Sequence, residues 1–219
     1  MEQNINIHIE NLISRYPALA CCKETIQTAY DILKQAYTEK RKLLVCGNGG
    51  SASDSEHIVG ELMKEFKLKR EVFKDQAEAM KRIDPELGVV LAKHLQGSFP
   101  AITLTGHSSL TTAFMNDSNP ELIFAQQVNG YGKAGDVLLG ISTSGNSHNV
   151  LYAAVTAKAK GLKVIGLTGQ KDCRLAKLAD VCIQVPETET YKIQELHLPV
   201  YHCLCMMLEE HFFGVNSNS

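Results

Sequence analysis

Asp136-Val-Leu-Leu-Gly-Ile141 runs directly into Ser142-Thr-Ser-Gly-Asn-Ser147, and a segment with helical spacing begins at His148. The apolar run reads as a short strand, the polar stretch as a turn, and the whole as half of a βαβ unit. The same unit recurs outward in both directions. Further apolar runs lie at Lys42–Cys46, Pro100–Thr105, Leu162–Leu167 and Asp180–Val185. Helical runs separate them at about 53–66, 108–116, 121–130, 148–160 and 173–179. Five such runs alternating with helices predict an α/β fold. It is a three-layer, doubly wound, five-stranded parallel sheet with flavodoxin-like strand order. Ligands in such sheets bind beyond the carboxyl ends of the strands, so the loops after the strands are where chemistry is expected.

The flanking segments read as helical. Ile5, Ile9, Leu12 and Ile13, then Ile26, Ala29, Tyr30, Leu33 and Ala36, recur at helical spacing on either side of Pro17. These apolar stripes need a partner, either the chain's own sheet or another subunit. Residues 1–40 are therefore taken as an N-terminal helical pair serving oligomerisation, and 41–219 as the α/β domain. Within that domain, residues 67–98 are charge-rich, with Asp84-Pro85-Glu86 as a helix start and Leu87, Val90, Leu91, His94 and Leu95 at helical spacing. They are expected to form a helical insertion. The chain closes on a long helix from about Tyr191 to Phe213, in which Pro199 removes one backbone donor and predicts a kink.

Composition narrows the function. A hydrophobic content of 44% with 21% charged residues is globular, neither disordered nor membrane-like. The formal charge of −2, without a Lys/Arg cluster, gives no footprint for nucleic acid. No apolar run approaches a membrane span, and the polar start Met1-Glu-Gln-Asn4 lacks a basic stretch leading into apolar residues. The expectation is a cytoplasmic protein with no membrane partner. Seven cysteines without a Cys-x-x-Cys pair are read as buried free thiols rather than disulfides or zinc knuckles.

Two loops carry the chemistry. Gly47-Asn48-Gly49-Gly50-Ser51-Ala52 follows the first strand and scans as G-x-G-x-x-A. A dinucleotide site also needs an acidic residue at the end of the next strand, which here ends Leu104-Thr-Gly-His107 and arrives far too late. No nucleotide cofactor is expected. What remains is a turn of backbone N–H groups around Asn48, Gly49 and Ser51 at a helix start, suited to an anion or an oxyanion. The second loop holds four hydroxyls, Ser142, Thr143, Ser144 and Ser147, before a helix. One would suffice as a cap, so four favour the surrounding of an anion. The phosphate lysine of a Gly-x-x-x-x-Gly-Lys-Ser/Thr loop is absent.

Cys46-Gly-Asn-Gly-Gly-Ser51, Gly140-Ile-Ser-Thr-Ser-Gly-Asn-Ser147 and Lys192-Ile-Gln-Glu-Leu-His197 with His202 together resemble the SIS (sugar isomerase) domain proteins, and most closely the phosphoheptose isomerases. The likeness spans the chain apart from 67–98. It implies a homotetramer with shared active sites that interconverts an aldose and a ketose through an enediol. The expected substrate is a small anionic sugar, sedoheptulose 7-phosphate.

Independently of the resemblance, an enediol mechanism wants a carboxylate and an imidazole. Glu61 lies four residues after His57, on one helix face. Gln194 and His202 are two steps of four apart, turned by about 80° in all, so they can line one edge of a cleft. The resemblance implies Glu61 as general base and His202 as its acid/base partner. In zinc-containing members it implies His57, Glu61, Gln194 and His202 as ligands of Zn²⁺, to which such nitrogen and oxygen donors are suited. It further implies Ser51, Ser142, Thr143, Ser144 and Ser147 around the phosphate, Asp117 near the sugar, and Glu195 and His197 in support. Two positions depart from the family. Glu65, beside Lys64, stands where an arginine is usual, and Tyr191 stands where an aspartate is common. These departures bear on the sugar rather than the reaction, and keep a hexose phosphate or a sulfonated hexose as alternative substrates. A non-catalytic SIS regulator would need the hydroxyl loop but neither Glu61 nor His202.

Overall fold

The computed structural model describes residues 2–214, with side chains from Ile5 onward. Five strands, β1 (Leu43–Cys46), β2 (Ala101–Thr103), β3 (Val137–Ile141), β4 (Lys163–Gly169) and β5 (Val181–Val185), form one parallel sheet in the order β2-β1-β3-β4-β5. This is the doubly wound order expected from the alternation of runs, and the order reverses between β1 and β3. Every residue of β1 and β3 is buried, which is why these runs are apolar throughout rather than alternating.

Successive residues feed opposite faces of the sheet. Leu43, Val45, Leu139, Ile141 and Ile165 point into a core shared with α1 (Glu2–Arg15), α2 (Lys23–Thr38), α3 (Gly50–Met63) and α10 (Thr190–Phe213). Leu44, Cys46, Leu138 and Val164 point to the other face, covered by α7 (Ile123–Tyr131), α8 (His148–Ala159) and α9 (Arg174–Leu178). The N-terminal helices belong to the first core: Ile9, Leu19, Ile26 and Leu33 are buried in it. Asp136, 2% exposed, ties the amino ends of β1 and β3 together by accepting from the backbone N–H groups of Lys42 and Lys133 and from Lys42 Nζ.

The segment 67–98 is a helical hairpin, α4 (Lys74–Ile83) and α5 (Pro85–His94). Asp84 caps α5 by accepting from the N–H groups of Glu86 and Leu87, with Pro85 in the first turn, as the tripeptide predicts. The hairpin keeps apolar residues at the surface, Ile83 at 85% and Leu87 at 61% exposed. Helix α6 (Ser108–Asp117) follows β2. Helix α10 runs unbroken through the buried Pro199. The six of the seven thiols that are not exposed sit among packed side chains, and burial pushes Cys46, Cys203 and Cys205 up to about 12.

Candidate active site

The first expectation to be corrected is the start of α3. The helix begins at Gly50, three residues earlier than the spacing predicted, because the apolar pattern does not reach the glycines that open it. Gly49 is the residue before the helix and takes φ +56°, the left-handed region open to glycine. Gly47 is required for a different reason. A Cβ there would fall 2.6 Å from Ser51 O, so the turn closes only around a bare Cα. Ser51 itself is 3% exposed, and its carbonyl accepts from Ser55 Oγ. Asn48 exchanges two amide hydrogen bonds with Asn149 at 2.9 and 2.8 Å, which ties the glycine turn to the first turn of α8. The side chain of Asn48 therefore has a structural partner that its sequence context does not announce.

The hydroxyl loop leaves β3 at its carboxyl end. Ser147 occupies the cap position of α8, yet its side chain makes no capping bond; its Oγ lies 3.0 Å from Ser142 Oγ instead. Capping therefore does not account for these hydroxyls. Gly145, at φ +63°, lets the loop turn over Cys173, whose Sγ a Cβ would strike. Asn146 ties the loop to α9 by accepting from the N–H of Arg174. Thr143 and Ser144 line a cavity of about 260 Å³ with Gly169, Lys171 and Glu187, at the carboxyl edge of the sheet.

A second group forms where α3 meets α10. His57 Nε2 lies 3.2 Å from Glu61 Oε1 and 3.4 Å from His202 Nε2. Glu61 is largely covered, at 13% side-chain exposure, whereas His57 is 42% exposed. Burial first, then the neighbouring His57, lowers the pKa of His202 against the opposing pull of Glu61, so a neutral imidazole is favoured there near neutral pH. His202 also borders a cavity of about 500 Å³ between α1 and α10, lined by His8, Arg15, Phe66 and Lys67 among others. Lys64 Nζ stands 3.3 Å from Glu61 Oε2, a contact visible in retrospect as an i,i+3 pair.

The remaining candidates are more scattered. Gln194 packs against the start of α3, where a Cβ on Gly50 would fall 2.5 Å from its Nε2. Asp117 is exposed at the end of α6 and is hydrogen bonded by its neighbour Asn116. Glu195 is exposed, while His197 is wholly buried against the sheet and pushed down to about 4 by that burial.

For a metal, the donor chemistry fits: two imidazole nitrogens and a carboxylate oxygen, at separations close to the roughly 3.3 Å between donors around a tetrahedral Zn²⁺ with 2.0–2.1 Å bonds. Closure is incomplete, since among the described residues no three His, Cys, Asp or Glu side chains converge as one metal-holding group.

What sequence reasoning missed is the device beneath this group. Arg70 and Glu209 are 0% and 1% exposed at the side chain and meet at 2.7 Å. Glu209 also accepts from the N–H groups of Phe66, Lys67 and Leu68. Arg70 donates onward to the carbonyls of Leu62 and Glu61, and its guanidinium sits over the Phe99 and Phe213 rings. The last turn of α3, which carries Glu61, is thereby fixed to α10, which carries His202. Within a stretch as charged as Lys64–Glu71, nothing in the sequence marks Arg70 as the buried member.

Comparison with known proteins shows the family. The SIS domain family matches residues 82–169, which include the hydroxyl loop but neither α3 nor α10. A phosphoheptose isomerase from Nitratiruptor sp. is 41% identical over 85% of this chain and 86% of its own. One from Aneurinibacillus thermoaerophilus is 35% identical over 97% and 96%. The solved phosphoheptose isomerase of Neisseria gonorrhoeae superposes with a TM-score of 0.72 at 30% identity, covering 95% of this chain and 98% of that one.

Proposed function

This chain belongs to the phosphoheptose isomerases of the SIS-domain family, and we propose that it interconverts sedoheptulose 7-phosphate and D-glycero-D-manno-heptose 7-phosphate through an enediol. The observation that carries the reading is that His57 meets both Glu61 and His202, on helices α3 and α10, which pack together. In the reaction a Glu61 oxygen removes the proton from C1 of the ketose and returns it to C2. His202, as a neutral imidazole, takes the O1 proton and delivers it to O2, so no atom is gained or lost. Ser142, Thr143, Ser144 and Ser147 surround the phosphate, with the N-terminus of α8 supplying further N–H donors. Ser51 joins them at the phosphate from the glycine turn, with the backbone of Asn48 and Gly49, and Asp117 and Gln194 contact the sugar. His57, Glu61, His202 and Gln194 would hold Zn²⁺, which when bound would polarise the carbonyl oxygen as a Lewis acid and would compete for the Glu61 and His202 lone pairs that the proton transfers use.

We further propose that the working form is a cytoplasmic homotetramer in which residues 1–40 pack between chains and a neighbour completes each site. Among the described residues, no helix is long and apolar enough to cross a membrane.

The test is turnover of sedoheptulose 7-phosphate by Glu61→Gln and His202→Gln, run beside a panel of ketohexose phosphates and a sulfonated ketohexose. Each variant is expected to lose about 10²-fold or more in kcat with an unchanged circular dichroism spectrum. Near-normal turnover by either variant removes that residue from the mechanism. Preferred turnover of a panel member by the unaltered enzyme would replace the heptose with that sugar.

A further inference from the structure

The hydrogen bonds that reach His57 from behind were not part of the sequence reading. Tyr201, adjacent to His202 on α10 and 1% exposed, places its hydroxyl 3.0 Å from His57 Nδ1 and 3.2 Å from Asp54 Oδ1. Asp54 stands one turn before His57 on α3, and its other oxygen is buried with no hydrogen-bond partner among the described residues. The Tyr201 and His57 rings meet edge to face at 5.5 Å, so the tyrosine also sets the plane of the imidazole.

A phenol has one proton to give, and a carboxylate can only accept. With that proton directed to Asp54 Oδ1, the phenolic oxygen is left as an acceptor, and His57 Nδ1 must be the donor to it. A neutral imidazole carrying its proton on Nδ1 presents a lone pair at Nε2. That nitrogen is the one that faces Glu61 Oε1 and His202 Nε2. In metal-free protein His202 Nε2–H can donate to that lone pair at 3.4 Å, and a bound cation would take the place of that proton.

We propose that Asp54 and Tyr201 are positioning residues: the Asp54–Tyr201 hydrogen bond fixes His57 as the Nδ1–H tautomer and aims the Nε2 lone pair at Glu61 and His202. The proposal deepens the reading of His57 as a ligand and rests on it. Its primary test, however, is made on protein free of metal and substrate, so it can fail or succeed independently of isomerase activity. A tyrosine immediately before the active-site histidine thereby becomes a functional position of this chain, because the helix that delivers His202 also delivers the group that orients His57.

The experiment is ¹⁵N NMR of histidine-labelled protein at pH 8.5, where an ordinary imidazole is neutral, with His57→Gln identifying the His57 signals. The unaltered protein is expected to show a protonated Nδ1 and an unprotonated Nε2. Tyr201→Phe, which removes one oxygen and keeps the ring, is expected to lose that preference. Asp54→Leu frees the phenol to donate to Nδ1 and is expected to move the proton to Nε2. Zn²⁺ affinity, read by competition with a chromophoric chelator, is expected to weaken about 10- to 100-fold in Tyr201→Phe, as for other groups that orient a ligand from behind. An Nε2–H or doubly protonated His57 in the unaltered protein overturns the proposal. So does a tautomer unchanged by Tyr201→Phe. If Asp54→Leu fails to fold, the Tyr201→Phe comparison decides alone.

Discussion

Replacing Glu209 by alanine strips partners from four donors at once: the N–H groups of Phe66, Lys67 and Leu68, and Arg70 Nε. The Arg70 guanidinium, 0% exposed, would be left charged and without its counter-ion. Breaking a buried pair from one side costs about 3–5 kcal/mol, a large part of the roughly 5–15 kcal/mol that holds a domain together. At about 2–4 °C per kcal/mol for a chain of this size, the melting temperature should fall by roughly 6–20 °C in thermal unfolding followed by circular dichroism. Arg70→Met combined with Glu209→Leu should recover only the part of the loss due to the uncompensated guanidinium, since the N–H groups of Phe66, Lys67 and Leu68 still lack their acceptor. The sign of the pH dependence follows from the carboxylate. Burial raises the Glu209 pKa, but the three backbone N–H groups and Arg70 outweigh it and hold the group below the ordinary glutamate value. A depressed folded-state pKa contributes stability that is complete above the unfolded value, about 4.3, and is lost as pH falls through the folded one. The gap between the parent protein and Glu209→Ala should therefore be constant from pH 6 to 8 and narrow below about pH 4. A melting temperature within 2 °C of the parent at pH 7 would refute the reasoning, as would a gap that widens in acid.

Three further outcomes follow from the site. Ser144→Ala with Ser147→Ala should raise KM for the phosphorylated sugar and weaken competition by inorganic phosphate; inhibition equal to the parent's would return the loop to a purely structural role. Protein purified without chelator should carry Zn²⁺ by elemental analysis and lose activity on chelation, with recovery on adding zinc; full activity in verified metal-free protein would remove zinc from the reaction but leave the proton transfers standing. Deleting residues 1–38 should give a smaller, inactive species by light scattering, and a full-length monomer with full activity would end the proposal of shared sites.

The fold was legible because the signal is redundant. Each strand is a short run that must be apolar on both faces, and each is followed by a helix, so an error of a residue or two at any boundary leaves the topology intact. Those small errors still have physical causes. The apolar spacing misses the start of α3 because Gly50, Ser51 and Ala52 carry no apolar periodicity, although they are helical. Spacing does not separate the 3-10 turn at Pro120–Leu122 from α7, the helix it enters.

The site was legible only where its residues share an element. His57 and Glu61 pair by spacing along α3, and Ser142 to Ser147 by adjacency. Tyr201 to His57 spans 144 positions, and Arg70 to Glu209 spans 139; both depend on how α10 crosses the end of α3, which no local pattern encodes. The insertion belongs to the same region. Its two ends close on each other through the Glu71–Gln96 bridge, Gln96 accepts from the N–H of Glu65, and the N–H of Phe99 donates to the carbonyl of Leu62. The hairpin thus springs from the turn that follows Glu61, the turn that holds Glu65 and from which Lys64 reaches the Glu61 carboxylate. A change in one of these three features alters the backbone on which the others stand. The turn after Glu61 and the hairpin therefore form one continuous edge of the site, tied together by backbone and side-chain hydrogen bonds rather than by sequence adjacency.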